Sequence, residues 1–540
     1  MRKLIFIGAA WPYANGSLHL GHIASLLGSD ILARYYRLNQ EKVLFISGSD
    51  CHGTPIAVQA EKRGVDPSEI AEKYHQEFKD NLINGLSFSY DLFSKTIDPF
   101  HQKLVQKIFL DLYQKGYIYK KKQKLPYCPK CQRFLPDRYV EGTCPYCGFE
   151  KARGDQCDEC GRLLSPEELK NPHCQICGTA PIWKTSEHFF FRLSAFQKKL
   201  KKWVNASNGW RINALHLTQE LLKKELPDRA ITRDLEWGIP VPLKGYEDKK
   251  IYVWFEAVCG YLSASQEWAE NQGNKDAWQE FWLNKKALHY YVHGKDNILF
   301  HTIIWPAILM AYNSDFHLPD KIISSEYLTL EKRQFSTSRD WAVWIPDFLA
   351  KYDSETIRYY LSINGPEAAD ADFSWSEYQS RINNELVNNF SNFIYRVFSM
   401  IQKNFPNGIN FPSSLNNNET KILELARKTF PEVGQAIENA KFKKGIKLIF
   451  KLVAEGNYYL DQSEPWKKIK GNLSEAENIL AISGQIIRSL AILINPYLPL
   501  TSQRISRMIE GEEIQGWQYP EPMKKLKLKE IKPLFGKVEV

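Results

Sequence analysis

No run of apolar residues in this 540-residue chain approaches the roughly 18 that a membrane-spanning helix needs. A protein that crosses a bilayer on such helices is therefore not expected. The opening stretch MRKLIFIGAA has two basic residues and a short apolar run, like a minimal signal peptide. It leads straight into the turn WPYANG, so it reads as a buried first strand. That strand is not followed by Gly-x-Gly-x-x-Gly, which excludes the usual dinucleotide-binding fingerprint. There is no low-complexity tract and no clear internal repeat apart from a set of cysteine pairs. Charge of one sign does not dominate either. Lys and Arg number 71 against 62 Asp and Glu, a net charge of +9 that suits an anionic partner such as nucleic acid without identifying one. With 44% hydrophobic and 25% charged residues the composition is that of an ordinary soluble protein, and the length calls for about three to four domains. An intracellular, cytoplasmic protein with reduced thiols is expected.

Eight of the ten cysteines form four Cys-x-x-Cys pairs: Cys128/Cys131, Cys144/Cys147, Cys157/Cys160 and Cys174/Cys177. In a reducing compartment this pattern indicates metal rather than disulfides. A two-residue gap lets both thiolates face one ion, and three of the pairs end in glycine, as such a turn prefers. Eight ligands make two four-cysteine sites with no open position, so two structural Zn2+ ions are expected. Neighbouring pairs could combine, or inner with inner and outer with outer. Eight thiolates against two dications remove four charges, taking the formal balance from +9 to roughly +5.

Around these cysteines the chain alternates strand and helix. Residues 3–9 read as a strand, about 17–39 as a helix, 42–50 as a strand and about 67–85 as a helix. This order predicts an α/β fold with a doubly wound, Rossmann-like parallel sheet, interrupted by a zinc-ribbon connective insertion. The α/β pattern returns at 249–262 and 288–309, and after about residue 366 long amphipathic patterns predict an all-α bundle. In such sheets ligands bind beyond the carboxyl ends of the strands, where both WPYANG and GSDCHG fall. His19 and His22 would then sit over a helix N-terminus, a place that favours anions, with Gly21 leaving room for a ligand.

The stretch PYANGSLHLGH resembles the HIGH signature of the class I aminoacyl-tRNA synthetases in their methionyl form. The resemblance continues in order through GSDCHGTPI (48–56), the cysteine pairs, SEHFFFRL (186–193), ITRDLEWGIPVP (231–242), YVWFEAVCGY (252–261) and HGKDNILFHTIIWPA (293–307), covering nearly the whole chain. It implies that methionine attacks the ATP α-phosphate, with Mg2+ accompanying ATP, and that the adenylate is passed to tRNA(Met). It also implies roles for residues. His19 and His22 would contact the phosphates. Gly294 and Asp296 would hold adenosine and its ribose, with Lys295 adding charge. Asp50 would receive the methionine amine. Tyr13, Trp254, Ala257, Tyr261, Asn297 and His301 would form the side-chain pocket, and Arg233 would bridge substrate and insertion. Trp11, Val258 and Asn297 depart from the residues common at those places.

Class I enzymes usually carry a KMSKS loop, and the matching stretch here is RQFSTSRDW (333–341). Gln334 and Thr337 take the places of the two lysines, while Ser336 and Ser338 are kept among the ATP-contacting positions. Arg333 or Arg339, or Lys332 beside them, is expected to supply the missing charge. In the bundle Asn392, Arg396 and Trp466 match the anticodon-reading residues, an aromatic to stack a base and two polar groups to bond its edges. The resemblance divides the chain into 1–115 and 231–325 for the halves of the catalytic domain, 116–230 for the insertion, 326–365 for the loop and stem-contact region, and 366–540 for the anticodon domain. A monomer is expected. A class I ligase for another amino acid, and a non-catalytic tRNA-binding paralogue, are the competing readings.

Overall fold

The computed structural model describes residues 2–154, 157, 159–160, 162, 164–335 and 341–540, the side chain of residue 137 excepted. Its centre is a five-stranded sheet of β1 (Leu4–Ala9), β2 (Lys42–Ser49), β3 (Leu92–Lys95), β4 (Leu288–Gly294) and β5 (Lys321–Ser325). The order across the sheet is β5-β4-β1-β2-β3 and every pairing is parallel. β1 is the apolar run LIFIGA, buried almost throughout, as a strand covered on both faces by helices must be. The opening segment is thus the middle of the core.

The strand order reverses between β1 and β4. In a sheet of this topology the ligand crevice lies there, beyond their carboxyl ends, and the two segments leaving them carry the histidine and HGKDN motifs. From β1 the chain turns into α1 (Leu20–Leu38). This helix starts about three residues later than expected, because His19 stays extended and caps it. Two further helices, Thr54–Arg63 and Pro67–Lys79, follow β2. The second has a Pro at its first turn and an Asp66 capping box. The first is absent from the sequence reading.

The insertion leaves the sheet along a long antiparallel ribbon. Ile118–Cys128 pairs with Ile182–Phe191, residue for residue from Ile118↔Phe191 to Tyr127↔Ile182. The cysteine pairs lie at its far end.

The C-terminal part is helical, with principal helices at Ser354–Asn364, Asn392–Asn404, Asn417–Glu438, Phe442–Ser463 and Leu473–Ile494. Strand pairing has not vanished there, however. Ala371–Phe373 runs parallel to Leu328–Leu330, and Ile409–Asn410 pairs with Lys525–Leu526. Leu473–Ile494 also corrects the reading of apolar runs. It is long and apolar enough to cross a membrane, yet 89% of its most apolar window is buried inside the protein, so it is the core helix of the bundle. The bundle is fastened to α1. Arg358, fully buried, donates to Asp30 Oδ2 at 2.7 Å and to the Tyr497 and Leu86 carbonyls at 2.8 and 3.0 Å. Burial would push the Asp30 carboxyl up, but Arg34 and Arg358 outweigh it and hold it down at about 2.

Candidate functional site

His19 and His22 meet at the start of α1. His19 Nδ1 accepts from the Gly21 amide and His22 Nδ1 accepts from the His19 amide, both at 3.1 Å, so the pair forms a capping box made of imidazoles. An Nδ1 that accepts carries no proton. Each neutral ring therefore keeps its hydrogen on Nε2, leaving that nitrogen a donor. Burial, with His22 beside it, lowers His19 to about 2, and burial lowers His22 to about 4. Both rings are then neutral at physiological pH and present N–H dipoles rather than cations at a helix start, a place that favours anions. The ring centroids lie 4.0 Å apart, and Phe335 stacks on His19 at 4.9 Å with planes 10° apart. Phe335 is the last described residue before the loop 336–340. Ser336, Thr337, Ser338 and Arg339 lie outside the described residues. Arg333 is exposed, its guanidinium 5.3 Å from the Trp341 ring.

Across the crevice, Gly294 ends β4 and a short turn, Lys295–Asn297, follows. The Asp296 carboxylate is exposed and accepts from the Tyr327 hydroxyl. Lys295 is less available for phosphate than the sequence implies. Its ammonium is bound by Glu326 at 2.8 Å and Asp370 at 2.9 Å, over the Tyr327 ring.

The apolar pocket is assembled from β2, the turn Val253–Glu256 and the helix Gly260–Asn271. Tyr13 and Asp50 are bridged side by side through backbone bonds, Asp50 N to Pro12 O and Ala14 N to Asp50 O. Asp50 is buried, and burial together with the charge of Glu256 raises its carboxyl well above the ordinary range. Tyr261, fully buried, donates to His301 Nε2 at 2.8 Å, while His301 Nδ1 donates to the Asn297 carbonyl at 2.8 Å. Trp254 and Ala257 are half-buried on the same turn, and Trp254 meets Phe300 edge-on at 4.9 Å. The indole of Trp11 fits because positions 48 and 260 are glycines. A Cβ at either would come within 2.6 to 2.8 Å of its ring.

Beyond Trp254 lies a cleft of about 390 Å³ between the catalytic half and the insertion, lined by Phe134, Leu164, Arg233, Tyr252, Trp254 and Leu299 among others. Arg233 stacks on Tyr252 at 3.7 Å and donates to the Ala230 and Thr232 carbonyls.

Two four-cysteine groups stand in the insertion, and their pairing is nested. Cys128 and Cys131 meet Cys174 and Cys177, while Cys144 and Cys147 meet Cys157 and Cys160. Within each group all sulfurs lie within 4.8 Å of one another, the closest cross-pair separations running from 3.4 to 3.9 Å. Thiolates about 2.3 Å from a tetrahedral ion sit about 3.8 Å apart, so both groups fit one.

In the bundle, Arg396 and Trp466 come together although 70 positions separate them. The guanidinium lies 5.3 Å from the indole and bonds Asp461 at 2.8 Å. Trp466 is 37% exposed, which rules out a core role, and Asn392 is exposed one helical turn before Arg396.

The sequence reading missed a buried cluster beside Asp50. Glu256 sits between His52 and His101, at 2.9 and 2.8 Å. Position 52, inside GSDCHG, was the available signal. Glu256 and His101 are hidden in apolar stretches with no motif of their own.

Comparison with known proteins identifies the family. The family model of class I tRNA synthetases (M) matches residues 5–398, and that of the anticodon-binding domain of methionyl tRNA ligase matches 411–533. Methionine–tRNA ligases of Bacillus cereus (strain B4264) and Bacillus mycoides (strain KBAB4) are each 47% identical over 539 residues, 99% of this chain and 97% of the relative. The fold is shared with Mycobacterium tuberculosis methionyl-tRNA synthetase, solved with methionyl-adenylate, at a TM-score of 0.81, 23% identity and 99% coverage of both chains. On the strength of a family model spanning most of the molecule and relatives alike along its full length, this chain belongs to the methionyl class I aminoacyl-tRNA synthetases.

Proposed function

We propose that the crevice between β1 and β4 activates L-methionine with ATP and that the bundle presents the anticodon face to tRNA(Met). The observation that carries this reading is the juxtaposition at the switch point. Two neutral Nε2–H donors lie at the start of α1, a buried carboxylate follows the end of β2, and Tyr261 of the helix Gly260–Asn271 meets His301 on the segment that follows β4. Little covalent work falls to the protein in this chemistry. It positions the methionine carboxylate against the α-phosphate and stabilises the charge that builds there. His19 and His22 hydrogen-bond the phosphates. Gly294 and Asp296 hold the nucleoside, a carboxylate being able to accept from both ribose hydroxyls. Asp50 receives the amine, and the hydrogen-bonded pair of Tyr261 and His301 meets the thioether within an aromatic wall that suits sulfur. Tyr13, Trp254, Ala257 and Asn297 complete the pocket, and Arg233 links it to the cleft under the insertion.

Without lysines at 334 and 337, the loop's charge comes from Lys332, Arg333 or Arg339. Adenylation unchanged in all three alanine variants would sink that assignment. The stacking of Phe335 on His19 ties the loop to the phosphate site. The four-sulfur groups hold zinc, whose preference for closed thiolate tetrahedra they match. Among the described residues they are the only groups of three or more His, Cys, Asp or Glu whose ligand atoms all lie within 4.8 Å of one another, and Mg2+ enters with the ATP phosphates. Asn392, Arg396 and Trp466 read the anticodon, and the enzyme acts as a monomer. ATP–pyrophosphate exchange across the standard amino acids, followed by charging of tRNA(Met), tests the whole. Exchange with an amino acid other than methionine, or none at all, defeats it.

A further inference from the structure

Behind Asp50 the structure spends a charged residue that neither the pocket nor the phosphate site uses. Glu256 is completely buried. One carboxylate oxygen takes His52 Nδ1 at 2.9 Å, and the other takes His101 Nε2 at 2.8 Å. His101 Nδ1 continues to the Ser263 hydroxyl at 2.8 Å. The cluster therefore joins three elements that also carry pocket residues: the end of β2 with Asp50, the turn with Trp254, and the helix with Tyr261. His52 is the link. Its ring holds Glu256, and its backbone N–H points to Asp50 Oδ1 at 3.4 Å.

A buried carboxylate is costly unless it is paired. Burial pushes the Glu256 carboxyl up, but His52 and His101 together more than offset this and keep it ionised. Ionisable groups around Asp50 and Glu256 include His52 and Cys51 on the segment of Asp50, Tyr13 bridged to it, His101 on the helix Pro99–Gln114 and Cys259 on the turn after Glu256. The Cys51 and Cys259 thiols are pushed up by burial and stay neutral.

We propose that Glu256 is a positioning residue for the methionine amine: held between His52 and His101, it sets a second carboxylate behind Asp50, so that the ammonium group enters a two-carboxylate well. This rests on the reading that Asp50 receives the amine. His52 and His101 hold Glu256 as a carboxylate, and its charge, with burial, raises the Asp50 carboxyl well above the ordinary range. An arriving ammonium favours the ionised form of Asp50 and makes it the direct partner, with Glu256 adding a second negative charge nearby. Methionine binding therefore weakens as pH falls, although the substrate amine itself stays protonated.

Glu256→Gln keeps the shape and removes the charge. The expected result is a rise of about tenfold in the methionine KM, with the ATP KM and kcat unchanged. The acid limb of kcat/KM for methionine should move about one unit toward lower pH, because Asp50 then ionises more readily. The inhibition constant of 4-(methylthio)butanoate, which lacks the amine, should not change. Glu256→Asp, which keeps the charge, should retain the wild-type preference for methionine over that analogue. If both variants lose the preference alike, the cluster acts through packing and the proposal is overturned. The wild-type protein gives a reading free of any folding defect. Calorimetry in buffers of different ionisation enthalpy should show proton release on methionine binding, growing as pH falls from about 7 to 5. No release overturns the proposal. Asp50→Asn separates the two ideas. If it leaves the preference for the amine intact, the Asp50 assignment fails. If it abolishes the preference while Glu256→Gln does not, only the role of Glu256 fails.

Discussion

Replacing His19 by asparagine separates two tasks that the imidazole performs together. Its Nδ1 caps α1 by accepting from the Gly21 amide at 3.1 Å, and its Nε2–H remains as a donor toward the crevice. Asparagine places Oδ1 close to where Nδ1 sits and is among the best capping residues, so helix stability should change by less than about 0.5 kcal/mol. Nothing in the shorter side chain reaches the Nε2 position. If that donor serves the phosphate in the transition state, its loss costs about 2.7–4 kcal/mol, or about 100- to 1,000-fold in kcat. Glutamine does the reverse. Its terminal amide reaches the Nε2 position and can donate, but the cap is lost at about 1 kcal/mol. ATP–pyrophosphate exchange at saturating methionine measures the first effect and thermal denaturation the second. The expected pattern is a stable, slow His19→Asn and a less stable, faster His19→Gln. Exchange by His19→Asn within about threefold of wild type would refute the phosphate role, because an energy of the size in question could not hide in that range.

Other consequences are open to direct measurement. Trp466→Ala removes an exposed stacking surface, so kcat/KM for tRNA should fall about ten- to a hundredfold while exchange is untouched, since base stacking is worth about 1–3 kcal/mol; equal loss of both would argue against an anticodon role. Tyr261→Phe leaves the buried His301 Nε2 without its donor, and the methionine KM should rise about tenfold with the ATP KM unchanged. Metal analysis should find two zinc ions per chain, and Cys174→Ser should release the one bound with Cys128, Cys131 and Cys177 while the other stays; loss of both would contradict the nested pairing. Burial holds His22 and His301 at about 4, below the unfolded value of about 6.5. The unfolded chain thus binds more protons between those values, and stability should decline as pH falls from about 6.5 to 4. A melting temperature that does not fall over that interval contradicts their neutral burial.

Much of the catalytic half was legible because its signals are local. An apolar run such as LIFIGA, bounded by a turn, can hardly be other than a buried strand. A two-residue gap between cysteines fixes the bite of a knuckle whatever surrounds it. The start of α1 was misplaced because the capping group is a histidine, which is not among the usual capping residues, so the boundary carried no familiar mark. The helix Leu473–Ile494 is the converse case. Its charged residues break the apolar run, yet the composition of the whole helix suffices for a membrane span, and only the burial of 89% of its most apolar window shows that protein covers it. The Glu256 cluster was illegible because its members lie at 52, 101 and 256, one per element, with no spacing to read.

By itself, then, the sequence determined the alternation of strand and helix, the metal-binding chemistry of eight cysteines and the presence of two histidines at a helix start. Each follows from residues a few positions apart, where covalent geometry limits the choices. Tertiary structure decided which cysteine pairs come together, that Arg396 meets Trp466, that Lys295 is bound by Glu326 and Asp370, and that His19 and His22 are buried as neutral rings. These depend on burial and on partners far along the chain, and the electrostatic state of a side chain is set by what surrounds it in space.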